Sequence, residues 1–324
     1  MKTTRILERV KTASIRVGYG RGLRRIRYLV LGREINNGLL FKLVLYAVFI
    51  SASYIYLNPI FRMMVKMVMN SKDLLDPMVT WIPSSIFWGH IDTAWQLLKY
   101  EQSTLISLGV SVAVAVFHCL SCGLAGYALA RLDVPFKKLI TVLLIIAFVI
   151  PPQVIILPTI IAYNELNMIN HPISLVLPSL FGFGTKGALF VIIFRQFFMT
   201  QPKELEEAAK IDGANAFRFY VKVMFPLAKP AILVVFLFSF VWTWNDTYLP
   251  RMFLTAAENV PLAVEMTKLG GSVTEFITKY NLPLYMADPI RMAASFLTIL
   301  PPLLIYLFAQ RYFTESVERT GLVE

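Results

Sequence analysis

Six stretches of this chain are long and apolar enough to cross the roughly 30 Å hydrocarbon core of a bilayer, which takes about 20 residues of helix. They cover residues 40–60, 104–130, 139–162, 173–194, 231–249 and 292–308. Such a pattern leaves little freedom of fold class. In lipid, each backbone N–H and C=O must be satisfied by its own helix or by a closed barrel, and barrel strands are only about half as long. The expectation is an all-α membrane protein with six transmembrane helices. With 57% hydrophobic and 16% charged residues in 324, the composition is too apolar for a water-soluble domain.

Charge sets the orientation. Lys2, Arg5, Arg9, Lys11, Arg16, Arg21, Arg24, Arg25, Arg27 and Arg33 all precede the first span, and an excess of Lys and Arg marks the cytoplasmic side. The net charge of +11 is therefore a topology signal, not a nucleic-acid surface. Arg131, Lys137 and Lys138 follow the second span, whereas 164–172, after the third, holds no Lys or Arg. Six spans with this alternation put both termini in the cytoplasm. No signal peptide is expected, because the first apolar run starts only after Gly38 and lacks a small-residue cleavage site.

Two regions are expected on this basis: a basic cytoplasmic arm, 1–37, and a six-span domain, 38–324. Ile6, Val10 and Leu23 give the arm enough apolar surface to lie as an interfacial helix on membrane lipid. "GYGRG" (18–22) lacks the preceding strand and the following Gly-Lys-Ser/Thr of a phosphate loop, so ATP binding by this chain is not expected. The 61–102 segment, which contains "TWIPSS" (80–85), falls outside the membrane and is too long for a simple hairpin. Pro151, Pro152 and Pro158 in the third span, with Pro301 and Pro302 in the sixth, each remove a backbone donor. Kinked helices around a wet cavity are expected. "HCLSC" (118–122) offers His118, Cys119 and Cys122 but no fourth ligand, so these residues read as packing and no metal site is expected.

Between the fourth and fifth spans lies a charged island, "EEAAKIDGANAFRFYVKVMFP" (206–226), inside a cytoplasmic loop at 200–228. Pro202 suits a first helical turn, and Glu204, Glu206 and Glu207 sit near the positive end of the helix dipole. Gly213 suits a left-handed stop. Phe217, Tyr220, Val221 and Met224 then recur at the spacing of one face of a second amphipathic helix, with Arg218 and Lys222 on another. The expected product is a rigid helix-turn-helix knob.

Glu207-Ala208-Ala209, three residues, Gly213, nine residues, then Val223-Met224-Phe225-Pro226 resembles the EAA loop of ABC importer permeases. Val223 and Phe225 stand where that pattern has Ile and Leu. Further stretches resemble the carbohydrate-uptake branch: "RQFFMTQPKELEEAAKIDGA" (195–214), "PLAKPAI" (226–232), "WTWNDTYLP" (242–250), "LFAQRYF" (307–313), "LAGYALARL" (124–132) and the "TWIPSS" segment. Within that branch the chain resembles the smaller six-span permease subunit of maltose-type importers.

The resemblance implies a type I ABC importer permease in a bacterial cytoplasmic membrane, itself no enzyme and without a cofactor of its own. Its implied partners are a second homologous permease, two ATPase subunits that bind ATP and Mg²⁺, and an extracytoplasmic sugar-binding protein. The knob becomes a coupling helix seated in an ATPase groove through Glu207, Ala208, Ala209, Asp212 and Gly213. Glu207 has two open roles, pairing with a basic residue of the ATPase or capping its own helix.

Trp242, Trp244, Asn245, Asp246 and Tyr248 are the candidates for the substrate path, because aromatic faces with polar edges suit sugar rings and intramembrane carboxylates usually face cavities. The alternative is that Asp246 holds helices together while the tryptophans form an interfacial belt. Lys186 either snorkels or lines the path. The rival function, a secondary transporter or channel without an ATPase, would place coupling carboxylates or histidines deep in several spans. An enzyme would need a cluster of catalytic groups, and His90, His118 and His171 form none in sequence.

Overall fold

The computed structural model describes residues 38–184, 186–256 and 260–321, with side chains to Arg311. The basic arm at 1–37 lies outside the described residues. All regular structure among the described residues is helical. The chain divides into two units, 1–62 and 63–324. Most of the first helix, α1 (Leu39–Lys66), belongs to the first unit, and its apolar side chains are largely exposed, as a lipid-facing rod requires.

The second unit is organised around α4 (Tyr100–Arg131), which follows two short helices, α2 (Ser71–Leu75) and α3 (Gly89–Leu97). A bent pair comes next, α5 (Lys137–Val149) and α6 (Pro152–Glu165), then a broken pair, α7 (Ile173–Leu180) and α8 (Gly187–Thr200). The knob contains α9 (Glu204–Ile211) and α10 (Ala216–Phe219), and leads into α11 (Lys229–Asn245). Short α12 (Tyr248–Phe253), α13 (Leu262–Lys279) and the long α14 (Ala287–Gly321) complete the chain.

α4 packs against α7, α8 and α11. Its small residues permit this: a Cβ at Gly126 would lie 2.6 Å from Phe194 Cβ and 2.8 Å from the Arg195 backbone nitrogen. The helices approach too closely there for any side chain. Two apolar cores result. One joins α3, α13 and α14 to Phe240 and Trp244 of α11; the other joins α4, α8, the knob and the first half of α11.

Among the described residues the six expected spans are not six uninterrupted helices. Among the described residues three helical stretches are long and apolar enough to cross a membrane by themselves: Leu39–Lys66, Tyr100–Arg131 and Leu284–Arg311. The expected third span bends by 96° between Val149 and Pro152, where the missing donors of Pro151 and Pro152 end the helix. The fourth is interrupted after Leu180 by a turn in which Gly182, Gly184 and Lys186 have φ of 68°, 108° and 65°. The knob's second helical segment, Ala216–Leu227, meets Lys229–Asn245 at 76°.

The "TWIPSS" segment is held by a polar knot. Asn70 caps α2 by accepting from Lys72 N and Asp73 N, and its amide donates to Ser84 Oγ and Ser85 Oγ. Buried Asp73 accepts from Ser84 N at 2.9 Å and Ser84 Oγ at 2.6 Å. His90, also buried, donates from Nε2 to Met69 O at 3.1 Å and packs edge-on against Phe87. Burial holds its pKa below the ordinary 6.5, outweighing the opposing effect of that bond.

Candidate functional site

Gly213 shapes the knob. Its φ of 73° ends α9 in the left-handed conformation, with Ala214 N–H donating to Ala209 O at 2.9 Å and Gly213 N–H to Lys210 O at 3.1 Å. These two bonds form a Schellman stop, in which orphan helix carbonyls are satisfied by the reversing chain. Two residues later Asn215 Oδ1 accepts from Arg218 N at 2.8 Å and starts α10. Local chemistry alone thus fixes both helices around one glycine. A Cβ at Gly213 would find no atom within 4 Å, so the space beyond it is open.

The second half of the knob differs from the sequence expectation. Phe217, Tyr220, Val221 and Met224 do not share a buried face: Tyr220 and Met224 are buried with Phe219, whereas Phe217 is 66% exposed and Val221 is exposed. The cause is a π-helical turn at Tyr220–Met224, closed by Phe225 N–H on Tyr220 O, which shifts the buried stripe onto Phe219, Tyr220 and Met224. Ile211, 86% exposed, joins Phe217 and Val221 among the knob's exposed apolar side chains.

Anchoring comes from α4. The Tyr127 ring packs against Phe198, Phe219 and Tyr220, and its hydroxyl donates to Ala216 O at 3.2 Å. Arg131 donates from Nε to Phe198 O at 3.0 Å and from Nη2 to Gln201 O, satisfying carbonyls at the end of α8. The Gly123 position leaves room for the Tyr220 hydroxyl, which would lie 3.0 Å from a Cβ there.

The proposed coupling residues fall together on the knob: Glu207, Ala208, Asp212 and Gly213 are exposed and Ala209 is half-buried. Glu206 pairs with Lys210 at 2.9 Å, and that hydrogen-bonded carboxylate raises the ammonium's pKa. Glu207 makes no side-chain hydrogen bond among the described residues. The surface is therefore a small, stiff, mixed apolar and acidic projection.

A second feature is a cleft of about 130 Å³ lined by one face of α4 (Ser107, Ser111, Val114, His118) and by α6, α7 and α12. Of the five path candidates only Asp246 lines it. Its Oδ1 accepts from Tyr248 N at 2.8 Å and Leu249 N at 3.2 Å, which starts α12. Trp244 is buried on another side, its Nε1 donating to Thr298 O at 3.3 Å. Trp242 stacks between Phe190 and Phe238, Asn245 is exposed and donates to Val241 O, and Tyr248 is half-buried.

His118 is fully buried, with Nδ1 2.8 Å from Ser239 Oγ and Nε2 3.3 Å from Phe183 O, so it ties α4 to α11 and to the break between α7 and α8. Cys119 and Cys122 contact backbone carbonyls of Ile232 and Gly187. No metal-binding group of three or more His, Cys, Asp or Glu exists among the described residues. Lys186 Nζ sits 5.1 Å from the Phe148 ring centre.

The sequence pattern of the family described as "binding-protein-dependent transport system inner membrane component" matches residues 123–319, a span that begins with the α4 segment under the knob and contains the knob itself. The chain belongs to this family. It is thus a permease of the ABC importer kind, a transport component and not an enzyme, in agreement with the resemblance carried by its EAA-type loop.

Its relatives include the sn-glycerol-3-phosphate transport system permease proteins UgpE of Pectobacterium atrosepticum, 29% identical over 81% of this chain and 90% of that protein. The Yersinia pestis (strain Antiqua) protein of the same name is 30% identical over the same shares. A crystal structure of a bacterial ABC transporter involved in the import of the acidic polysaccharide alginate contains a chain of the same fold. It has a TM-score of 0.72 and 21% identity, and the match covers 91% of this chain and 99% of that one.

Sequence reasoning missed several residues of this permease. Tyr127 and Arg131 hold the knob, although in sequence Tyr127 stands only within the resemblance of "LAGYALARL" and Arg131 only there and as a topology charge. His118 was assigned to packing, yet both ring nitrogens have polar partners. For Trp242 and Trp244 a usable signal existed, because residues two apart on a helix point about 200° apart and cannot line one cavity.

Proposed function

We propose that this chain is one of two permease subunits of an ATP-driven importer for a sugar or oligosaccharide, and that its knob seats in a groove of an ATPase subunit. The observation that carries this reading is the knob: a glycine-locked helix pair, braced by Tyr127 and Arg131, that leaves Ile211, Phe217, Glu207 and Gly213 facing outward. Exposed apolar side chains on so stiff an element favour a protein partner over water. Closure of an ATPase dimer on ATP and Mg²⁺ must be passed to the membrane helices, and a rigid joint transmits it where a soft loop would not.

In this reading the chain crosses the bacterial cytoplasmic membrane six times, with the bent α5–α6 pair and the broken α7–α8 pair each making one passage. Both termini and the knob are cytoplasmic, and the 67–99 and 246–286 segments face outward toward an extracytoplasmic binding protein. The second permease is homologous but distinct, and the two together form the path. The chain itself carries no nucleotide.

The test is a mild-detergent pull-down of the tagged chain from its host, with mass spectrometry of the partners and Gly213→Asp in parallel. Recovery of a second multi-span permease and an ATPase, with the ATPase reduced by the substitution, is the expected result. A stable preparation without any ATPase overturns the proposal.

A further inference from the structure

We propose that the cleft between α4, α6, α7 and α12 takes an uncharged, hydroxyl-bearing part of the transported molecule, a sugar ring, and rejects anionic groups. This rests on the importer reading above and adds the chemical class that this subunit's own cavity selects.

The charge of the wall is one-sided. Asp246 is its carboxylate, and among the described residues no Lys or Arg lines it. His118 offers no free donor, since its two nitrogens already face Ser239 Oγ and Phe183 O. A phosphate or uronate entering here would meet a like charge without a compensating cation, in surroundings of low dielectric where such repulsion is strongest.

The remaining groups suit a polyol. Asp246 uses Oδ1 for two backbone N–H groups, while Oδ2 accepts no hydrogen bond among the described residues. Thr243, one turn earlier, has a buried hydroxyl without a partner. A diol can donate to the carboxylate and satisfy the threonine once small shifts expose it. Ser111, Thr159 and Tyr163 add hydroxyls around a floor that includes Val114, Ile155 and Phe253, which matches the apolar C–H face of a sugar ring. This wall contrasts with the phosphate ester in the name of the UgpE relatives and with the acidic polysaccharide that the alginate transporter imports.

The experiment places a reporter thiol at Thr159, on α6, and follows its modification in membrane vesicles containing the full chain with its partners. Uncharged hydroxyethyl, cationic aminoethyl and anionic sulfonatoethyl methanethiosulfonates are compared, each corrected for its rate with free cysteine and for the unsubstituted chain. The cationic reagent should react about tenfold faster than the anionic one, as a cleft of one charge sign concentrates its counter-ion. Asp246→Asn, which keeps a side-chain oxygen for the α12 cap, should bring the two rates close together.

Glucose, maltose, trehalose and cellobiose are then tested singly as protectants beside sn-glycerol 3-phosphate. Slower labelling with at least one neutral sugar and none with the phosphate ester is the expected result. Equal or faster reaction of the anionic reagent, protection by the phosphate ester, or no protection by any neutral sugar overturns the inference. ATPase recovery from the same vesicles is scored separately, so loss of the importer reading and loss of the cleft's charge preference are distinguishable.

Discussion

Replacing Gly213 separates the knob's own stability from its task. At φ 73° most residues with a Cβ pay a left-handed penalty of roughly 1–2 kcal/mol, Asn and Asp less. Nothing else opposes it, because a Cβ meets no atom within 4 Å. Gly213→Ala should therefore cost about 1 kcal/mol in the subunit, with Tm falling by about 2 °C for a chain of this size. Gly213→Asp adds repulsion at the negative end of α9, about 0.5 kcal/mol. Gly213→Asn tolerates the conformation best and should melt close to the parent.

Coupling should follow a different order. If Gly213 lies against an ATPase surface, even Asn fills space that the partner occupies, and ATPase recovery and sugar uptake should fall from Gly to Ala to Asn and Asp with side-chain size. Thermal unfolding followed by fluorescence in detergent gives the first order; pull-down and uptake give the second. Uptake that tracks Tm, with Asn the best of the three, would refute the idea that the open space at Gly213 is partner space. Normal ATPase recovery with Gly213→Asp would remove the coupling assignment altogether.

Gly126→Leu should prevent stable folding, since even the Cβ of Gly126→Ala would press on Phe194 and on the backbone of α8, an overpacking cost of about 1–3 kcal/mol measurable as lower Tm. Tyr127→Phe keeps the ring contacts but loses the hydrogen bond to Ala216 O, so it should cost about 1 kcal/mol and loosen the knob, read as faster amide exchange over 214–224. Asp246→Ala should remove the α12 cap, worth about 1 kcal/mol, while Asp246→Asn retains most of it; thermal melts of the two variants check this. His90 has a depressed folded-state pKa, so the unfolded state binds the extra proton first as pH falls: stability is complete well above 6.5, declines below it, and levels off under the folded pKa. Limited proteolysis of the 67–98 segment between pH 8 and 5 should show this loss, and His90→Gln should flatten it.

The knob was legible in sequence because everything that builds it is local. Glu207 to Gly213 spans under two helical turns, and a glycine after an amphipathic helix carries its own conformational meaning. Its anchoring was not legible, because Tyr127 meets Ala216 and Arg131 meets Phe198 only after α4 and α8 have packed. Helix periodicity likewise misplaced Phe217 and Val221, since a π-turn changes the angular step without any mark in composition. Prolines announced a bend at Pro151 and a cavity beside kinked helices, but not the 96° magnitude or which residues line the cleft. Asp246 was found from the rarity of carboxylates in spans, while its cap to α12 and its place in the cleft depend on where the chain turns next.

The two candidate sites share one element. α4 supplies Ser107, Ser111 and His118 to the cleft wall and, further along the same uninterrupted helix, Gly123, Tyr127 and Arg131 to the knob. At 1.5 Å per residue, Ser111 and Tyr127 lie about 24 Å apart along the axis. A tilt of about 10° imposed at the knob, if α4 moves as a rod, displaces the cleft wall by about 4 Å. That is about the 3.5–4.0 Å of one carbon–carbon contact, so a modest movement at one end is sufficient to reshape the other. His118 sets the direction in which the change spreads, because its bonds to Ser239 and Phe183 O oblige α11 and the α7–α8 break to follow α4 or let the bonds rupture. Under the proposed seating of the knob on an ATPase, a helix that carries both sites, with a buried polar bracket between them, gives coupling a mechanical route that needs no separate relay.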